Sequence, residues 1–365
     1  MRIAYLGQMA DITTENGISK KIRMQSSAWA AAGHVVRYFA AVPRPVPWSG
    51  LAPLETDLVR RGNALARMFT SRLLCRHIDA WQPDVIYFRY AHHSPGLPRL
   101  FSRHPTIAEI NSDDLQEYSL TLSAAKRFYH RMTRTRVLRQ VRGLVAVTAE
   151  LAERFSGFAK PAEVIGNSVE FAALPHLSAA PLDGGTRLIF VGNTGTPWHG
   201  LDRVGDLAGV LPEFEFVIVG CTAEDYLRCA NVPVAPRNFR LLGMMSQRDY
   251  LPLFGQALAA IGTMGLYRKH MQEACPLKVR EYLAVGLPVI GAYQDTDIPP
   301  DADYFLRLPN NAEPLAPWGD RIVAFLDRWR TRRVPRAAIA HLDVSVKEAR
   351  RLAFMERILA ASRHV

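Results

Sequence analysis

The chain has 365 residues, of which 48% are hydrophobic and 22% are charged. This length exceeds one ordinary hydrophobic core and suits two domains, while the composition excludes a disordered chain. A formal net charge of +11 indicates a polyanionic partner, which is either nucleic acid or an anionic membrane.

The four cysteines show neither paired spacing nor a metal-ligand pattern, which favours a reducing cytoplasmic setting and predicts no metal site. The apolar run that begins at Ile3 is too short for a signal peptide. No segment approaches the roughly 18 apolar residues of a membrane span. We therefore expect a cytoplasmic protein that is soluble or peripheral to a membrane.

Strand-like apolar runs alternate with helix-like stretches, which is the pattern of α/β proteins with parallel sheets. There are two such series of runs. The first predicts strands at 3–6, 35–39, 85–88, 106–110 and 144–147, and the second at 188–191, 216–219, 239–242, 259–263 and 289–291.

The series define the domain prediction. Residues 1–173 are predicted to form a first α/β domain and residues 186–343 a second one, because the turn-rich segment 174–185 between them lacks a periodic apolar face and is read as the linker. Apolar positions at helical spacing predict a C-terminal helix within 344–365.

Ligands of such sheets bind at the carboxyl ends of the strands, so the loops there hold the candidate residues. Gly17 follows the first strand and precedes a helix that begins near Ile18. It allows the backbone to approach a diphosphate, although an ordinary turn glycine explains it as well.

Two later loops of the first domain carry polar residues that can bind or activate a substrate. Arg89 can bind a phosphate or pair with Glu109, and His92, another candidate ligand in the same loop, has no third ligand at zinc spacing. Glu109, Asp113 and Asp114 are candidate bases for a substrate hydroxyl, with Asp114 also a candidate substrate ligand. Capping of the next helix explains Asp113 equally well.

Two basic, amphipathic stretches lie near residues 60–77 and 126–142. They can pack on the sheet with a solvated basic face, or they can lie on anionic lipid. Nucleic-acid binding is the competing explanation, but the sequence shows no helix-turn-helix, RNP or zinc-finger pattern.

The segment from Glu273 to Gly286 has the most specific pattern. Pro276 is favoured at the first position of a helix that runs from Leu277 and ends at Gly286. Backbone N–H groups at Leu277, Lys278 and Val279, together with the Lys278 charge, would suit phosphate oxygens. Glu281 can accept hydrogen bonds from a ribose, and Glu273 can reach a sugar beyond the diphosphate, although two such glutamates also occur by chance.

The run from Glu273 to Ile290 resembles the signature of nucleotide-sugar glycosyltransferases of the GT-B fold, most closely glycosyltransferase family 4 and its bacterial polysaccharide branch. The resemblance implies two Rossmann-like domains facing across a cleft, with the C-terminal helix crossing back to the first domain. It implies that Glu273 contacts the donor sugar, Glu281 binds the ribose and Lys278 neutralises the diphosphate.

The same resemblance implies the reaction. A hexose-type sugar moves from a nucleotide diphosphate-sugar to a polyprenyl diphosphate-linked saccharide at the inner face of the cytoplasmic membrane, without a metal or another cofactor. We expect retention of configuration, while inversion with an Asp base in the first domain stays an alternative. A non-catalytic protein that binds sugar nucleotides or nucleic acid is another.

One loop departs from the family pattern. Family 4 usually has Arg directly after the glycine at 192 and Lys directly before the glycine at 200, where this chain has Asn193 and His199. Substitutes for these cations are Lys278, the Arg268–His270 cluster and a His199 protonated beside phosphate. Base recognition is expected from backbone groups near Gly243.

Overall fold

The computed structural model describes residues 1–8, 16–42, 55–60, 66–177 and 185–362. The chain forms two compact units: unit 1 is Met1–Ser168 with Val344–Val365, and unit 2 is Val169–Asp343. The chain leaves unit 1 before the segment predicted as the linker, because Val169 already pairs with Asp343 inside unit 2. Residues 178–184 of that segment lie outside the described residues.

Unit 1 contains a seven-stranded parallel sheet in the order β3-β2-β1-β4-β5-β6-β7. Its central strands are buried along nearly their whole length, as expected for a parallel sheet covered on both faces. The strands are β1 Arg2–Gln8, β2 Val35–Val42, β3 Glu55–Arg60, β4 Val85–Arg89, β5 Thr106–Ile110, β6 Gly143–Ala146 and β7 Ala162–Val164.

The last helix of the chain belongs to the core of unit 1. Its residues Phe354, Met355 and Ile358 join a buried cluster that includes Tyr5 and Trp29. This confirms that the C-terminal helix returns to the first domain. The helices of unit 1 are α1 Gly17–Ala31, α2 Ala66–Trp81, α3 Leu97–Arg103, α4 Asp114–Thr121, α5 Ala124–Leu138, α6 Ala149–Arg154 and, at the C-terminus, α12 Val344–Ser362.

Unit 2 contains a six-stranded sheet in the order β10-β9-β8-β11-β13-β15 and a separate pair, β12 and β14. The described strands of both sheets pair in parallel, so the predicted α/β class is confirmed. The strands are β8 Arg187–Val191, β9 Glu215–Val219, β10 Phe239–Leu241, β11 Ala259–Ile261, β12 Glu273–Ala274, β13 Val289–Gly291, β14 Gln294–Asp295 and β15 Phe305–Arg307.

Helices and short 3-10 turns follow the strands of unit 2, and two of these turns, Pro197–His199 and Leu266–Lys269, lie at the candidate site. In the described part of the chain, every helix is too short or too polar to cross a bilayer. The helices of unit 2 are α7 Leu201–Val210, α8 Ala223–Ala230, α9 Gln247–Tyr250, α10 Leu277–Val285 and α11 Gly319–Arg328.

Candidate functional site

The start of α10 differs in one detail from the prediction. Pro276 is the N-cap residue with ψ at 135°, so it lies one position before the helix rather than at its first residue. Its carbonyl accepts the N–H of Val279 at 3.1 Å. Leu277 and Lys278 therefore supply the backbone N–H groups at the helix start, and Val279 does not.

The Lys278 ammonium lies in a buried position beside this helix start. Its Nζ atom lies 3.8 Å from the centre of the Phe190 ring and has no hydrogen-bond partner in the described part of the chain. Burial lowers the pKa of Lys278 to about 7. A buried ammonium without an anion is costly, so this group is suited to an anionic ligand.

Glu281 is held in a fixed orientation by α9. Its Oε1 accepts a hydrogen bond from Gln247 Nε2 at 3.1 Å, and its Oε2 accepts one from the Tyr250 hydroxyl at 2.8 Å. A carboxylate that is oriented in this way suits the two hydroxyls of a diol, because each carboxylate oxygen is a hydrogen-bond acceptor. Gln247 and Tyr250 were not predicted, because no sequence pattern connects α9 to α10.

The segment that contains Glu273 is tied to α10 by the buried Arg280. The Arg280 guanidinium contacts both Asp295 oxygens at 2.7 and 2.9 Å, Asp297 at 3.1 Å and Cys275 Sγ at 2.6 Å. Because Asp295 belongs to β14, which pairs with Glu273 in β12, these contacts fix Glu273 relative to α10. Among the described residues, Cys275, Asp295 and Asp297 have metal-ligand spacing, and Arg280 supplies their positive charge.

The loop after β8 holds His199 as a neutral side chain. Asn193 Oδ1 accepts a hydrogen bond from the Thr196 hydroxyl at 2.6 Å, and that hydroxyl lies 3.0 Å from His199 Nδ1. Burial, and then the Lys278 charge, lower the pKa of His199 well below its ordinary value. In the ligand-free protein His199 is therefore not the substitute cation that we considered.

Two glycines allow close backbone approach at this edge of the sheet. Gly200 has φ at +69°, and a Cβ there would lie 2.5 Å from the Gly265 nitrogen. Gly243 has φ at +66°, and its carbonyl accepts the N–H of Gly220 at 2.6 Å. Both positions require the left-handed conformation that glycine adopts without strain.

Arg268 holds the turn Pro197–His199 in place. Its guanidinium donates to both Asp202 oxygens at 3.0 and 2.5 Å and to the Pro197 carbonyl at 2.7 Å. Asp202 neutralises the Arg268 charge. The geometry therefore suits Arg268 as a residue that positions the loop, rather than as a donor ligand.

Glu109, predicted as a candidate base, lies in the core of unit 1. It is fully buried, with Lys21 Nζ at 3.0 Å, Arg351 at 3.6 Å and the Tyr87 hydroxyl at 2.8 Å. Burial raises the pKa of Glu109, but Lys21 and Arg351 outweigh it and hold the pKa well below the ordinary range. Such a stabilised carboxylate is a poor base.

The two aspartates at the end of β5 are also occupied. Asp113 caps α4, accepting the N–H groups of Leu115 and Gln116 at 3.0 and 3.1 Å, which is the capping role considered above. Asp114 accepts hydrogen bonds from His130 at 2.5 Å and from both sides of the Arg134 guanidinium. Burial raises the pKa of Asp114, yet the bonds from His130 and Arg134 lower it to about 2.

The other candidates of unit 1 lie at strand ends and at a helix start. Arg89 lies 3.6 Å from Glu109, as in the ion-pair alternative, and its NH1 atom is buried. The His92 carbonyl accepts a hydrogen bond from Gln8 Nε2 at 2.9 Å. Gly17 is the first residue of α1, which Asn16 caps, and the preceding residues 9–15 lie outside the described residues.

Comparisons with known proteins decide the fold. Residues 16–167 match the family described as "Glycosyl transferase 4-like domain". Sucrose-phosphate synthase from Thermosynechococcus elongatus superposes with a TM-score of 0.73 at 15% identity, covering 99% of both chains. HepE from Anabaena, solved with UDP and glucose, gives a TM-score of 0.65 at 14% identity over 98% of this chain and 100% of HepE. The chain is a GT-B protein that resembles glycosyltransferase family 4.

A further GT-B structure with the same TM-score as HepE is WaaG, described as a glycosyltransferase involved in lipopolysaccharide biosynthesis. It gives a TM-score of 0.65 at 13% identity, covering 97% of this chain and 99% of WaaG. No curated protein sequence matches the chain significantly. The family match covers unit 1, whereas Lys278, Glu281 and the loop after β8 all belong to unit 2.

Proposed function

We propose that this GT-B protein transfers a hexose-type sugar from a nucleotide diphosphate-sugar, with the diphosphate bound at the start of α10. The observation that carries the proposal is the buried Lys278 ammonium, which has no hydrogen-bond partner in the described chain. A diphosphate would supply the anion, and negative charge develops on it as the bond to the sugar breaks. Lys278 and the helix start provide this stabilisation without a metal ion.

The two glutamates would bind the two ends of the donor. Glu281 accepts the ribose hydroxyls, because Gln247 and Tyr250 already orient its carboxylate. Glu273, which lies in the short strand β12, contacts the sugar. The complexes of HepE with UDP and with UDP-glucose support a nucleotide-sugar as the donor class.

A thermal-shift screen with UDP-, GDP-, CDP- and dTDP-sugars tests the proposal. A ligand that binds only the folded protein raises the melting temperature, so one nucleotide class is expected to stabilise the protein in a concentration-dependent way. If no class shifts the transition at millimolar concentration, the donor site is wrongly assigned.

Glu281→Ala is expected to raise the donor KM about tenfold or more, with a smaller change in kcat. The reason is that the ribose is bound equally in the ground and transition states, so its loss weakens uniform binding. Steady-state kinetics over donor concentration measure the effect. Tyr250→Phe, which removes one orienting bond, should change KM in the same direction by less; an unchanged KM in Glu281→Ala would exclude the ribose role.

The contacts of the unit 1 carboxylates favour a reaction that retains configuration. Inversion needs a base near the acceptor hydroxyl, and Glu109, Asp113 and Asp114 are each engaged by buried ion pairs or by a helix cap. A retaining front-face reaction instead lets the departing phosphate oxygen take the acceptor proton. The occupied carboxylates therefore support retention.

The surface of α5 supports a lipid-linked saccharide as the acceptor in bacterial surface polysaccharide synthesis. Phe128 and Met132, one turn apart, are 67% and 61% exposed, and Lys126, Arg127 and Arg131 on the same helix are also exposed. Packing inside unit 1 accounts for Val137 and Leu138, which are buried, but not for these two. Exposed apolar side chains among cations suit an anionic bilayer, so we place the enzyme at the inner face of the cytoplasmic membrane.

The second basic stretch also exposes apolar and basic side chains. Its described part includes α2, where Phe69 and Arg72 are exposed, and α3 packs against both α2 and α5. The WaaG description as a lipopolysaccharide enzyme supports this class of acceptor.

The double variant Phe128→Ser/Met132→Ser is expected to lose at least about tenfold in partitioning to phosphatidylglycerol-containing vesicles, because each inserted side chain contributes about 1.5–3 kcal/mol. Flotation over a salt series measures it, with pure phosphatidylcholine vesicles for comparison. Val234→Ser in unit 2, also an exposed apolar residue, is the matched control. Unchanged flotation of the double variant would contradict a membrane-binding face. So would wild-type protein that binds duplex DNA more tightly than it binds the anionic vesicles.

A further inference from the structure

The loop after β8 lacks both cations that the family 4 pattern would place there, since Asn193 and His199 stand at those positions. Lys278 supplies one charge, whereas a leaving nucleoside diphosphate carries more than one negative charge. The neighbouring cluster 268–270 holds the other candidates. Arg268 holds the turn Pro197–His199 in place, and His270 is exposed at the end of its turn. Lys269 is the buried side chain of the cluster.

The turn that contains Lys269 holds it against the loop after β8. The turn Leu266–Lys269 packs on the turn Pro197–His199, where the N–H groups of Met264 and Gly265 donate to the carbonyls of His199 and Trp198 at 3.1 and 3.2 Å. Lys269 is only 4% exposed, and its Nζ lies 4.3 Å from the centre of the Trp198 ring. Its ammonium is thus fixed beside the residue that precedes His199.

Lys269 and Lys278 act on the same side chain. After burial, the Lys278 charge and then the Lys269 charge lower the pKa of His199. Both ammonium groups therefore lie within electrostatic range of one imidazole, one from the turn before β12 and the other from the start of α10. Two lysine charges that act on one neutral imidazole make this part of the site electropositive, which favours an anionic ligand.

We propose that Lys269 is the second diphosphate-binding cation of this site and replaces the lysine that family 4 carries at position 199. The inference rests on the proposed donor function. As the bond from the sugar C1 to the β-phosphate oxygen breaks, its electron pair stays on that oxygen, and the two ammonium groups stabilise the added charge. The acceptor oxygen bonds to C1, and its proton passes to the departing phosphate.

Lys269→Met tests the proposal through the difference between a nucleoside diphosphate and its monophosphate. Isothermal titration would use UDP and UMP, or the pair of whichever base the thermal-shift screen selects. A charge-assisted hydrogen bond contributes about 1.5–3 kcal/mol, so diphosphate affinity should fall about tenfold or more while monophosphate affinity changes less. Lys160→Met, in unit 1, is the control for loss of one lysine charge.

Two further variants separate charge from folding. His199→Lys in the Lys269→Met background returns a cation to the family position and should recover most of the diphosphate affinity. Lys269→Gln keeps a polar end and replaces Lys269→Met if that variant does not fold; the same loss of diphosphate affinity is expected for it. If every uncharged variant that folds keeps the wild-type preference for diphosphate, Lys269 is not a ligand, although the donor site stands. If the wild-type protein binds no nucleotide, the proposed function itself fails.

Discussion

Lys278→Met is expected to lower kcat for sugar transfer by about two to three orders of magnitude, the usual cost of removing one preorganised group that stabilises transition-state charge. Methionine fills similar space over Phe190 without a charge, so the loss reports electrostatics rather than packing. Donor KM should change less, because the ammonium interacts most strongly with the charge that develops during bond cleavage. Steady-state kinetics with the donor found by the thermal-shift screen give both constants.

Lys278→Arg separates the charge from its exact position. Arginine stays protonated throughout the accessible pH range but presents a planar group, so partial activity is expected. Wild-type kcat in Lys278→Met, with the protein folded, would remove Lys278 from the donor site.

Glu109→Gln is expected to destabilise unit 1 by about 3–5 kcal/mol, because it leaves Lys21, Arg89 and Arg351 facing a neutral amide in the core. Urea unfolding measures the loss. At a temperature where the variant stays folded, kcat should remain within a few-fold of the wild type, which a lost catalytic base would not allow.

The difference in unfolding free energy between the wild type and Glu109→Gln should depend on pH with a definite sign. Glu109 has a folded-state pKa below its ordinary value of 4.5, so its stabilisation is present above that pH and is lost as pH falls toward the folded-state pKa. The wild type should therefore lose its advantage over Glu109→Gln only in acid. An advantage that persists at the lowest pH would contradict the ion network as its source.

The sequence predicted the fold best where strands are buried. Ile3–Leu6 and Thr106–Ile110 read as apolar runs and form central strands β1 and β5. The edge strand β3, Glu55–Arg60, was missed because its composition is mostly polar. An edge strand tolerates such a composition, since only Val59 in it is buried. The short pair β12 and β14 was also missed, since two residues carry no periodicity.

The candidate site was predicted as far as local sequence determines it. The helix start at Leu277 follows from Pro276, Gly286 and the apolar spacing between them, whereas the burial of Lys278 was not predicted. The partners of Glu281 come from α9, more than thirty positions earlier, and nothing in either segment indicates that contact. For Glu109 and Asp114, the pattern predicted carboxylates at a strand end but not the Lys, Arg and His side chains that bond to them.

The pH dependence of nucleoside diphosphate binding tests the central claim, that the Lys278 ammonium receives the donor diphosphate. Because burial lowers the pKa of Lys278 to about 7, binding above that pH requires uptake of a proton. Calorimetric titration of the wild type should show affinity falling by up to about tenfold per pH unit above about pH 7, and Lys278→Met should lack this dependence. A wild-type affinity that stays constant from about pH 7 to about pH 9, or that matches Lys278→Met throughout, would contradict it.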